Sequence, residues 1–284
     1  MSTPIATVSR ALAPPVCPWC ARGVPVVCYN FMPIFDWTRT DLAFELPDGS
    51  TTLTDDQDAL SRIDLSNGTG ELPGWSTAYD AEALSRLLHQ WKAVDAEQLW
   101  ENLGYFLERV VPVAASSGVR MAIYPDDPPW SIFGLPRIIT DDNALRRVLS
   151  LVDHPSNGLT FCTGSLGSSA NNDVPGMVRE FAELQRSHFM HCRNVKRVGT
   201  QSFREVAHPS EFGDVDMRAV LQALHDNTPL QIRTRWSSPS PGAPKTVCGA
   251  CGTVCRTWHD RRRRQVRDLP CGALQVLLEF ELRT

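Results

Sequence analysis

Gly158-Leu-Thr-Phe-Cys-Thr-Gly-Ser-Leu-Gly167 is the stretch that decides the fold. Its first five residues make a buried-looking run of strand length, and the small residues after Cys162 end it. Upstream, Thr140 opens a helix whose Leu145, Val148, Leu149 and Val152 fall on one face. Downstream comes a second short apolar run, His188–Cys192 (HFMHC), and two more occur earlier, at Val24–Asn30 (VPVVCYN) and Val119–Tyr124 (VRMAIY). Between those two, Asp95 opens a helix with Gln98 three positions on, as in a capping box. Leu99, Leu103, Phe106, Leu107 and Val110 follow at helical spacing, and Gly213–Leu224 gives a further helix through Val220, Leu221 and Leu224. Strands alternating with amphipathic helices imply a parallel sheet, and continuously apolar strands imply cover on both faces. The fold class is α/β.

Composition agrees. The 284 residues are 42% hydrophobic, and eight Trp and eleven Phe supply core material, which excludes a disordered chain. No stretch approaches the roughly 18 consecutive apolar residues of a membrane span. The first residues lack a basic n-region and a continuous apolar h-region, and nine scattered Cys argue against a disulfide framework, so the expected compartment is the cytoplasm. The net charge of −4 hides a split: residues 1–228 carry a net of −10 and residues 229–284 a net of +6. Ser237-Ser-Pro-Ser-Pro-Gly-Ala-Pro244 lies at the change and reads as a linker. The expected organisation is an irregular segment 1–23 containing Cys17-Pro-Trp-Cys20, an α/β domain 24–236, a linker 237–247 and a basic tail 248–284.

In a parallel sheet, chemistry gathers just past the C-terminal ends of the strands. Four such ends here are dense in polar residues. They are Asn30-Phe-Met-Pro-Ile-Phe-Asp-Trp-Thr-Arg-Thr-Asp41, Tyr124-Pro-Asp-Asp-Pro-Pro-Trp130, Cys162-Thr-Gly-Ser-Leu-Gly167 and His191-Cys-Arg-Asn-Val195. Each alone reads equally well as a turn, because Pro-Asp-Asp-Pro is turn chemistry and Cys is often a buried hydrophobe. Four converging on one rim is the stronger observation.

These segments, with VVCYNFMPIFDWTRTDLAFELPDGS, MAIYPDDPPWSIFGLPRIIT and GDVDMRAVLQAL, resemble the mannonate dehydratase family over roughly residues 26–228. The resemblance implies a (β/α)8 TIM barrel and a hydro-lyase of glucuronate catabolism that converts D-mannonate to 2-dehydro-3-deoxy-D-gluconate and water. It also implies a Mn2+ or Fe2+ cofactor: the proton α to a carboxylate is hard to remove unless a cation stabilises the developing charge. Carried over by position, the metal ligands include Cys162 and His191, with Tyr124 where the family has His. The fourth ligand, an Asp in an Asp-His-Gly-Arg run, has no counterpart, since the chain there reads Thr228-Pro-Leu-Gln-Ile-Arg-Thr-Arg-Trp236. Asp36, Arg39, Arg193 and Asn194 are candidates for the substrate's carboxylate and hydroxyls, with structural ion pairs as an equally good account.

The sequence supplies four clear strands and a doubtful fifth at Leu230–Arg235, fewer than the eight of a barrel. An incomplete barrel with exposed edges, impaired activity and self-association are therefore expected. The tail has its own resemblance, to the zinc-finger region of insertion-element transposases of the ISL3 type. Cys248, Cys251, Cys255 and His259 can in principle supply four tetrahedral zinc ligands, and Arg261–Arg264 can meet nucleic-acid phosphates. The alternative to a lyase is thus a non-enzymatic remnant with a basic tail.

Overall fold

The computed structural model describes residues 25–75, 78–227 and 274–275. In chain order the elements begin with strands β1 (Val26–Tyr29), β2 (Asp41–Glu45) and β3 (Thr51–Asp55) and helices α1 (Gln57–Ser61), α2 (Ala81–Trp91) and α3 (Ala96–Ser116). There follow β4 (Arg120–Ile123), α4 (Asp142–Leu151), β5 (Asn157–Cys162), α5 (Thr163–Gly167), α6 (Val174–Glu183) and β6 (Ser187–His191). The series continues with β7 (Asn194–Gly199), β8 (Ser202–Val206), α7 (Met217–Asn227) and the two-residue β9 (Leu274–Gln275). The expected strands are thus β1, β4, β5 and β6. They form one parallel sheet in the order β6-β5-β4-β1-β9.

The sheet has the two covered faces that its apolar strands imply. Val27, Tyr29, Met121 and Ile123 join the main core with the helices, while Val26, Cys28 and Ala122 make a small cluster of their own against Phe189. Of the helices, α3 contributes the most buried residues. Asp95 caps it by accepting from the Gln98 backbone N–H, and Leu99, Leu103, Phe106, Leu107 and Val110 are all buried. Complete burial of such a side chain contributes about 1.5–3 kcal/mol.

Two helix starts differ from the sequence reading. α4 is capped by Asp141 rather than Thr140, since the Asp141 carboxylate accepts from the Ala144 N–H. α7 begins at Met217, after a 3-10 turn at Ser210–Phe212, and Leu221 is exposed rather than on its buried face. A second sheet was not anticipated. It is antiparallel, in the order β2-β3-β8-β7, and is inserted after β1 and after β6. One signal was present, the turn Pro47-Asp-Gly49 between β2 and β3. Leu230–Arg235, the linker, the tail with Cys248, Cys251, Cys255 and His259, and the Cys17/Cys20 pair lie outside the described residues.

Candidate active site

The site forms where β4, β5 and β6 end. Cys162 closes β5, His191 closes β6, and the two are register partners in the parallel pair. Side chains of register partners emerge on the same face, which brings Sγ of Cys162 to 3.4 Å from Nδ1 of His191. Tyr124 follows β4, tied to β1 by its backbone N–H donating to the Tyr29 carbonyl. Its hydroxyl hydrogen-bonds to the same His191 Nδ1. Around the sulfur, Ser165 adds its backbone N–H at 3.4 Å and its hydroxyl at 3.1 Å.

The electrostatics favour a thiolate. Burial alone would push the Cys162 thiol up, but Arg193 and His191 outweigh it and bring it down to about 6. The Tyr124 phenol goes the other way: burial first, then the Cys162 charge, holds it well above the ordinary tyrosine value. At neutral pH these fields favour a buried thiolate beside a neutral phenol, with the His191 ring between them.

Behind it stands a buried four-membered ion network that links the strand ends to the antiparallel sheet. Arg39 donates to both oxygens of Asp127 at 3.0 and 3.1 Å and to Glu205 Oε1 at 2.8 Å. Arg193 donates to Asp127 at 2.8 Å, to Glu205 at 2.7 Å and to the Ser165 hydroxyl at 3.2 Å. All four charged residues are at most 5% exposed. Burial opposes ionisation of Asp127, yet the two guanidiniums hold its carboxyl well below the usual range. Phe203 stacks on Arg39, its ring centroid 4.9 Å from the guanidinium carbon. Gly164 is what lets Arg193 reach this position, because a Cβ there would fall 2.1 Å from Arg193 Nε.

Of the residues singled out in the sequence, Cys162, His191 and Tyr124 meet directly. Arg39 and Arg193 meet through Asp127 and Glu205, in hydrogen bonds to protein carboxylates. Asn194 is fully buried: its amide donates to the carbonyls of Ala207, His208 and Pro209, and its oxygen accepts from the Val215 N–H. It organises the loop before α7. Asp36 accepts from Asn30 Nδ2 at 3.3 Å. The sequence reading quoted Asp127 and Ser165 within polar strand ends without giving either a role, and it did not quote Glu205, which nothing in the strand Ser202–Val206 marks as a buried charge.

The expected divalent ion can be tested against these donors. Cys162 and His191 are good ligands, but the third group is a phenol that stays protonated, and ionised oxygen is what such ions bind. Tyr124 and Cys162 already engage His191 Nδ1. Among the described residues no group of three His, Cys, Asp or Glu side chains is placed to hold a metal. The described donor set does not fit a divalent ion by itself.

Comparison with known proteins bears on the same residues. The family model described as D-mannonate dehydratase (UxuA) matches residues 17–242. Mannonate dehydratase 2 of Halalkalibacterium halodurans is 52% identical over 204 residues, and the mannonate dehydratase of Streptococcus agalactiae serotype Ia is 50% identical over 206. Each alignment covers 72% of this chain but 59% of the relative, so the chain spans about three-fifths of the length of these curated relatives. The crystal structure of mannonate dehydratase from Streptococcus suis serotype 2 superimposes with a TM-score of 0.70 at 37% identity, covering 96% of this chain and 76% of that one.

Proposed function

The chain belongs to the D-mannonate dehydratase family, and from that membership we propose that its strand-end rim is a sugar-acid hydro-lyase site of impaired turnover. The reaction is the dehydration of D-mannonate to 2-dehydro-3-deoxy-D-gluconate, in a cytoplasmic setting, with a small sugar acid as the partner. The observation that carries the reading is the pairing of Cys162 with His191 across adjacent strand ends of one rim.

Dehydration needs two proton movements, one away from the carbon beside the carboxylate and one onto the departing hydroxyl. Tyr124, whose phenol keeps its proton beside His191, is the rim group placed to give one. Cys162 is a poor base, because its sulfur is already held by His191 and by both Ser165 donors. A Mn2+ or Fe2+ ion in the family's manner would supply the missing charge stabilisation, but these donors do not fit one, and no step here is assigned to it. Low turnover follows from that mismatch. Loss of one contact supporting a metal ligand costs about 10–100-fold, and replacement of a ligand by a neutral phenol costs more.

The test is formation of 2-keto acid from D-mannonate by the purified chain with Mn2+ or Fe2+ supplied, beside a longer relative. A rate at least about 100-fold below the relative is expected. A rate within tenfold of it, abolished by Cys162→Ala, would overturn the impairment and point to ligands outside the described residues. The competing reading, a non-enzymatic chain whose tail binds zinc or nucleic acid, rests on residues 248–284, also outside them.

A further inference from the structure

A second polar cluster adjoins the ion network at Asp127, and the lyase reading does not use it. Its centre is Arg137, whose side chain is 1% exposed. None of its three guanidinium nitrogens has a hydrogen-bond partner, and its nearest carboxylate contact, Asp126 Oδ1, is 3.9 Å away. That oxygen also has no partner, whereas Asp126 Oδ2 accepts from the backbone N–H groups of Ile138 and Ile139 at 2.7 and 2.9 Å. Asn30 Oδ1 and Asp55 Oδ1 are likewise buried without partners. Asp36, Asp55 and Asp127 lie close enough to act on Arg137 electrostatically, and Asn30 is joined to the group through its hydrogen bond to Asp36.

Arg39 and Arg193 spend their donors on Asp127 and Glu205, but Arg137 does not. A buried guanidinium with unmade hydrogen bonds is among the most destabilising features a fold can carry, so its donors are matched by some group. The chemistry of the surroundings selects that group. An anion would be drawn to Arg137 but would face the carboxylates of Asp36 and Asp127. An ammonium would be repelled by Arg137. A hydroxyl accepts from the guanidinium and donates to Asp126, Asp55 or Asn30. We propose that Arg137, Asp126, Asp55 and Asn30 frame a buried subsite for neutral hydroxyl groups, one that takes a polyol rather than a carboxylate. The subsite requires binding and no turnover, so it stands or falls separately from the lyase reading.

D-Mannitol, which has hydroxyls but no carboxylate, is the probe, with propionate as the carboxylate-only control. Saturation-transfer NMR and thermal shift on the purified chain should show mannitol binding in the millimolar range, and no effect of propionate at equal ionic strength. Arg137→Met should weaken mannitol binding at least tenfold. If that variant does not fold, Asn30→Ala, which removes one acceptor at the edge of the cluster, should weaken it about threefold. Absence of any mannitol signal, binding untouched by the variants, or propionate binding as well as mannitol would each overturn the proposal. So would a high-resolution crystal structure from mannitol-soaked crystals in which only water contacts Arg137.

Discussion

Cys162 and His191 face each other across β5 and β6, Sγ 3.4 Å from Nδ1, and the Tyr124 hydroxyl shares that nitrogen. The pair is a fixed consequence of strand register, whereas the third member depends on one residue type.

Tyr124→His should therefore change metal retention before it changes activity. A third imidazole or thiolate ligand at the rim raises affinity for Mn2+, and metal carried through gel filtration should rise at least tenfold over the unmodified chain. Adding Cys162→Ala should return it to the starting level. Turnover should stay low, because no acidic ligand accompanies the three among the described residues. Full activity in Tyr124→His alone would contradict this.

Gly164→Ala should unfold more than a helix turn. A Cβ at position 164 takes the place of Arg193 Nε, and Arg193 cannot move without leaving Asp127 and Glu205 half-paired in the interior. Breaking a buried pair in this way costs roughly 3–5 kcal/mol. Chemical denaturation should show a fall of that order, against less than about 1 kcal/mol for Ala at the open position Gly70.

His188 should make the fold acid-sensitive. Burial pushes its imidazole down to about 4, and its neutral ring sits with Nδ1 2.8 Å from the Met121 carbonyl. The unfolded chain takes up this proton near pH ~6.5, the native state only near 4, so the unfolded state binds more protons in between. Stability is complete above the upper value and falls as pH drops toward the lower one, by roughly 3 kcal/mol in all. His188→Gln should flatten that part of the stability–pH curve. An unchanged slope would show that other groups titrate there.

Asp55 should act in the opposite direction. Burial raises its carboxyl to about 7, against the pull of Arg39. Its contribution is complete below the unfolded value near ~3.9 and is lost as pH rises through 7. Asp55→Asn removes the titration, so the Tm advantage of the variant should grow from pH 5 to pH 8, reaching roughly 5 °C. A constant difference across that range would sink the assignment.

The antiparallel sheet shows why part of this was hidden from the sequence. β1 and β5 are buried at every position and read as largely apolar runs, Val26–Tyr29 and Asn157–Cys162, while β6 is only partly buried. β2 is an edge strand with every residue exposed, and Asp41-Leu-Ala-Phe-Glu45 carries no burial pattern to read. β7 likewise alternates weakly, with only Asn194 and Val195 buried. Three helices, α3, α4 and α7, were legible through their apolar faces, and α2 and α6 were not anticipated; even for α4 the start depended on which of two adjacent polar residues, Thr140 or Asp141, capped it.

By itself the sequence determined the α/β class, the four parallel strands, the rim where they end, and the identity of Cys162, His191 and Tyr124 as the residues to watch. Periodicity and strand direction are local properties, and they suffice for the class, the strands and the rim; the three residues were named by the family resemblance at their positions. Only the tertiary structure decided what the charged residues do. Arg39 and Arg193, which the sequence left open between a substrate carboxylate and structural ion pairs, are bound to Asp127 and to Glu205, which lies 166 residues from Arg39 in the chain. Arg137, which lies in the quoted stretch Met121–Thr140 but received no role there, is a buried guanidinium whose donors have no hydrogen-bond partner among the described residues. Which charge meets which is fixed by where two sheets touch, and no spacing along the chain encodes it.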